Sequence, residues 1–176
     1  LAAGSLSGGA VAAGASVVVF LFNGTTKAYV AEGSSVTAAF INITATSSEK
    51  LNAVSTAGGI GGGAVSISGL VVMAEAVTQA YTEQNVTLII SGTASLKATD
   101  TPDYTLSALT ANVGGVAAGG AVIVLIFKNT VTAQIGSGNV VHAGDLNVLA
   151  TADRKLNVNA AAGSAGAGAV SGSVIV

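Results

Sequence analysis

Apolar positions along this chain follow two patterns, and both predict strands. Alternation with period two runs through SVTAAFINITAT at 35 to 46 and NVVHAGDLNVLATA at 139 to 152, the mark of a strand with one face inward. Continuous apolar runs, VVVFLF at 17 to 22 and AVIVLIF at 121 to 127, are apolar on both faces, which a strand with one solvated face is not. Each is followed by a short Thr-containing strand ending in AYV or AQI and a turn. After a charged corner (Glu49, Lys50; Arg154, Lys155) the chain enters Leu-led, Gly- and Ala-rich strands at 51 to 65 and 156 to 170. Inward positions are expected at Val36, Ala38, Ile41, Ile43 and Ala45, and again at Val141, Ala143, Leu146, Val148 and Ala150.

These two sets lie 105 residues apart, and the whole chain repeats at that distance. Leu1 falls on Leu106, Phe22 on Phe127 and Lys50 on Lys155, and about 30 of the 71 overlapping positions are identical without any insertion. A weaker period of about 52 lies inside it, visible in TTKAYV at 25 to 30, VTQAYT at 77 to 82 and VTAQIG at 131 to 136. The modules fall at about 1–50, 51–105, 106–155 and, in part, 156–176. Periods of this size belong to solenoids, propellers and arrays. The Gly, Val and Thr content excludes helical repeats, and the lack of recurring turn dipeptides argues against propeller blades. The expected fold is all-β, a parallel β-helix (β-solenoid) of about 52-residue modules in a 105-residue super-repeat. Two coils per module are expected, about seven in all, making a rod roughly 33 Å long.

Composition sharpens this picture mainly by exclusion. Charged residues make up 8% of the chain, six basic against eight acidic, so no basic face exists for nucleic acid. With no Cys and one His there is no disulfide, no thiol nucleophile and no multi-histidine metal site. A mean hydropathy of +0.73 and four uncharged stretches raise the question of membrane spans. Glycine clusters inside those stretches, β-type residues between them and the lack of any asymmetry in Lys and Arg argue against it. Leu1 is not preceded by a basic segment, no signal peptide is visible, and the chain reads as a piece of something longer.

Candidate chemistry is thin. His142 beside Asp145 reads as a surface histidine near a turn, since its repeat equivalents are Thr37 and, for Asp145, Phe40. Asp100 and Asp103 flank the only Pro and make a poor calcium cage. Glu32, Glu75, Glu83 and Asp153 are scattered along the chain, unlike the clustered carboxylates of glycosidases. No catalytic residue, metal ligand or cofactor is expected, and the chain reads as a non-enzyme. Two binding features remain. The both-sided apolar strand needs a cover, from a second layer of the same chain or from another chain, and Val18, Phe20, Phe22, Ile123, Leu125 and Phe127 are the candidate assembly surface. Tyr29 and Tyr81, equivalent in successive modules, are the candidate exposed aromatic ladder.

The alternating segments, with GGAVSISGLVV, GGAVIVLIF and the TKAYV corner, resemble the β-strand repeats of large bacterial surface adhesins, the filamentous-haemagglutinin-like and autotransporter passenger proteins. The resemblance covers essentially the whole chain and rests on composition and period. It implies a right-handed parallel β-helix, exported and displayed outside the cell as a stalk or fibre that presents an adhesive tip and self-associates laterally. Its partners would be further copies and a host or neighbouring-cell surface. The alternatives are a self-assembling filament subunit and a directly adhesive module for glycans or protein.

Overall fold

A computed structural model describes all 176 residues and contains strands and turns but no helix. The strands are β1 (Ala2–Val30), β2 (Ser35–Ala38), β3 (Ile41–Ser47), β4 (Lys50–Thr82), β5 (Thr87–Asp100), β6 (Asp103–Ile135), β7 (Val140–Ala152), β8 (Lys155–Ala165) and β9 (Gly168–Ile175). Every pairing is parallel. One sheet runs β1-β4-β6-β8 with β9 also on β6, and the other joins β2 and β3 to β5 and β5 to β7. The chain therefore makes repeated passes, each laying one long strand into the first sheet and shorter ones into the second.

The register shows what separates the passes. Ala2 pairs with Val54, a step of 52, and Val54 with Ser107, a step of 53; these two steps make the 105-residue repeat. The step from β6 to β8 and β9 is again 52. Stacking at half that distance, two layers to a module, does not occur. A pass of 52 or 53 residues forms a single layer, so three and a half passes at about 4.8 Å each rise only about 17 Å, half the expected height. The reason is strand length. β1, β4 and β6 span 29, 33 and 33 residues where short strands were expected, because the apolar run and the Thr-containing segment after it are one continuous strand.

These strands bend. Within β4 the Ser68 hydroxyl donates to the Ser55 carbonyl at 2.7 Å, thirteen residues back, so the strand folds over across the glycines at 58 to 63. Gly9, Gly61, Gly114 and Gly166 stand one pass apart at this bend. A Cβ on Gly61, Gly114 or Gly166 would lie under 3.0 Å from the carbonyl oxygen of the glycine one pass below. Bare backbone is what allows the layers to stack there.

Each pass packs its inward side chains into two lobes. In the first, residues 51–57 face residues 70–74 of the same strand, and Leu51, Ala53, Leu70, Val72, Tyr104, Leu106 and Ile123 fill one core. In the second, Ile43, Ala45, Leu96 and Ala98 face Ala80, with a small third cluster of Val86, Leu88, Ile90 and Ala94 beyond. The inward positions expected from alternation are in place: Ile43 and Ala45 are buried, Val36, Ala38 and Ile41 pack beside them, and Val141 and Ala143 repeat the pattern. Leu146, Val148 and Ala150 are in register with Ala94, Leu96 and Ala98 but exposed, because no strand lies on the far side of β7.

A second corner turns the chain at 31–34, 83–86 and 136–139. Gly33, Asn85 and Gly138, again one pass apart, all have φ between 56° and 70°. Asn139 fastens this corner, its side-chain oxygen accepting from the Val86 amide at 2.8 Å.

Candidate functional site

The long wall of the first sheet, residues 64–82 and their equivalents, carries the features that sequence reading singled out. Its side chains alternate strictly. Val18, Phe20 and Phe22, with Ile123, Leu125 and Phe127, point inward and pack in the first lobe's core. The six residues expected to form an assembly surface are therefore interior. The residues between them face outward: Val17 and Leu21 are 63% and 69% exposed. The apolar run is two-faced as expected, but its outer half belongs to the odd positions of β1 and β4 and the even positions of β6. The step of 53 between β4 and β6 exchanges odd for even, which hides the assignment from inspection of one segment.

Nothing in the chain covers that outer face. The second layer of strands from the same module, one of the two expected covers, is absent, since the second sheet packs on the inner side of the wall. Rows run across the passes. Val17, Gly69, Val122 and Val174 form one, and Leu21, Met73 and Ile126 another. The surface stays uncharged up to the row Asn23, Glu75, Lys128, where an acid in β4 lies beside a base in β6. Beyond it the wall turns polar, through Lys27, Gln79 and Thr132 to Tyr29, Tyr81 and Gln134.

Tyr29 and Tyr81 do come together, with ring centroids 5.3 Å apart and planes at 11°. Their faces lie against each other along the stacking direction and their edges point outward. A sugar ring packs on an aromatic face, so stacking uses up much of the surface that a glycan would need. Glu32 and Glu83, far apart in sequence, meet at the corner below: the Glu32 amide donates to the Glu83 carboxylate at 2.9 Å, and Asn85 donates to Glu32 at 3.4 Å. The two acids therefore serve the turn. Glu75 and Asp153 remain apart from them on the wall and at the charged corner.

His142 is exposed in the row Thr37, Ile89, His142, where a shallow depression of about 500 Å³ opens. Asp100 and Asp103 diverge. Asp103 stands between Lys50 and Lys155 in register, whereas Asp100 is buried and accepts a hydrogen bond from Asn129 at 2.6 Å.

Asp100 belongs to a cluster at the waist between the lobes that sequence reading missed. Tyr104 is buried there, its ring stacked on Phe127 at 5.1 Å, with the Arg154 guanidinium 5.1 Å from the Phe127 ring. Burial pushes the Tyr104 phenol up to about 12; the Glu49 and Asp100 carboxylates add to this and Arg154 opposes it. The signal in the sequence is Tyr104, a polar-tipped residue in the row of Leu51 and Leu156, four residues after the inward Asp100. No group of three or more His, Cys, Asp or Glu side chains gathers anywhere to hold a metal. No helix is long and apolar enough to cross a membrane.

No family model, curated protein or solved structure matches this chain.

Proposed function

We propose that this chain is a structural segment of a β-solenoid, one coil to each pass of 52 or 53 residues, within an extracellular bacterial surface protein. Its work is to extend that protein and present an adhesive tip, with lateral association into fibres. The observation that carries the reading is the uniform register: every strand pairs in parallel with the chain one pass on, and each added pass repeats the same two lobes and the same corners. Such an array grows by repetition and keeps a constant cross-section. The resemblance of the alternating and glycine-rich segments to adhesin repeats supplies the surface location.

The width of each coil bears on which role fits. Residues 64–82 at about 3.3 Å each make a wall about 60 Å long, against a rise of about 4.8 Å per coil. Broad coils extend little per residue and offer wide flat faces, which suits a fibre-forming segment better than a thin spacer.

Immunogold labelling of intact, unpermeabilised cells with antibody against this chain tests the proposal. Gold along surface projections is the expected result. Label confined to sectioned cytoplasm, with intact cells blank, overturns it.

A further inference from the structure

The outer wall carries a charge pattern that discriminates among two-fold axes parallel to its strands. We infer that the uncharged outward face binds a second copy of this chain face to face, coil axes antiparallel, about a two-fold axis parallel to the strands and midway between β4 and β6. This deepens the fibre reading above by naming the lateral partner, and it rests on the stacked-pass architecture.

The argument begins with the row Asn23, Glu75, Lys128. A C2 contact is self-complementary: if one residue meets a second across it, the second meets the first, and only residues on the axis meet their own image. An axis along β4 sets Glu75 against Glu75, and an axis along β6 sets Lys128 against Lys128; both oppose like charges. An axis midway between the two strands sets Glu75 of each copy opposite Lys128 of the other. The same axis places β4 over the partner's β6 and β1 over the partner's β9, so that Met73 faces the second copy of Ile126 and Val17 that of Val174. β4 and β6 are then covered along the whole face, and β1 as far as Val19, the position level with Val176. Aligned sheets packing about 10 Å apart leave room for side chains of this size to interdigitate.

Area supports the same arrangement. Residues 65–75 of β4 and β6, with the shorter overlap of β1 and β9, at about 3.3 Å each and about 4.8 Å between strands, give roughly 570 Å² per copy, or about 1,100 Å² in total. That lies at the lower edge of a standard specific interface, about 1,200 to 2,000 Å². An axis shifted by one strand spacing would leave two strands of each copy uncovered and lose the charge match.

Sedimentation equilibrium on the 176-residue chain tests the inference, using Met73→Asp, the single reversals Glu75→Lys and Lys128→Glu, and the double reversal. A concentration-dependent dimer is expected for the native chain, and a monomer for Met73→Asp with its circular dichroism unchanged; Met73 is 42% exposed, so the fold tolerates the change. Each single reversal sets like charges opposite at both symmetry-related sites and should weaken the dimer by about tenfold or more. The double reversal restores opposite charges and should return to within about threefold of native. A native chain that stays monomeric to about 100 µM, a Met73→Asp dimer as tight as native, or a double reversal no better than the singles overturns the pairing. Oriented samples are examined in parallel for the spacing of about 4.8 Å along the stacking axis. Its presence with monomeric chains sinks only the lateral contact; its absence sinks the stacked architecture itself.

Discussion

The first lobe folds within the long strand β4, the second sets the end of that strand against β3 and β5, and the two differ at every level. The first is filled by Leu70, Val72, Ile123, Leu106 and Tyr104, turns on glycines and shows an apolar outer face. The second is lined largely with Ala45, Ala80 and Ala98, turns on Gly33, Asn85 and Gly138, and shows a polar outer face. Side-chain volume sets the distance between opposing walls, so the first lobe is held open by large residues and the second closes on alanines. The corners differ for a matching reason. The first needs bare backbone because the layers touch there, while the second needs a left-handed residue, which Asn supplies as well as Gly.

The largest expected effect lies at the glycine corner of the first lobe. Gly114→Val sets a branched side chain against the Gly61 carbonyl, with backbone on both sides that cannot give way. Loss of the cooperative urea transition is expected, a cost above about 4 kcal/mol. Next comes the filling of the lobes. Leu70→Ala empties a fully buried site and should cost about 2–5 kcal/mol by urea denaturation. Ala80→Leu tests the opposite property of the second lobe: enlarging an alanine that is also fully buried should cost about 1–3 kcal/mol through overpacking, where a roomy lobe would tolerate it.

The waist between the lobes gives a pH signature. The folded-state value of Tyr104 is raised from 10.0 to about 12, so between those limits the native state keeps a proton that the unfolded chain has released. Stability is then fully present below pH 10 and falls as pH rises toward 12, by about 2–3 kcal/mol. Tyr104→Phe should flatten that decline, as measured by chemical denaturation across the range. The smallest effect belongs to the second corner, where Asn85→Ala should cost about 1 kcal/mol and Asn85→Gly almost nothing, because φ is 56°. Equal losses for Ala and Gly would mean that the side-chain contact to Glu32, and not the backbone, holds the turn.

Much of this molecule follows from the chain alone. Alternation marked Ile43 and Ala45 as interior, and the 105-residue repeat was visible because each stacked position needs the same class of side chain as its neighbours. A charge-poor composition with no Cys and a single His leaves no thiol nucleophile, disulfide or multi-histidine site. Three matters were settled only by tertiary structure. The number of layers per repeat depends on where the chain bends, and the glycines at 58 to 63 bend a strand without ending it, so one long strand passes for several short ones. The facing of VVVFLF depends on parity, which no run of uniformly apolar residues reveals and which the core fixes by taking Val18, Phe20 and Phe22. The meeting of Glu75 with Lys128, of Tyr29 with Tyr81, and of Asp100 with Asn129 depends on the parallel steps of 52 and 53 residues and on where the chain turns between strands. Sequence fixes which residue types can stack; only the folded register decides which of them touch, because contacts between passes are set by chain length around the loop and not by local propensity.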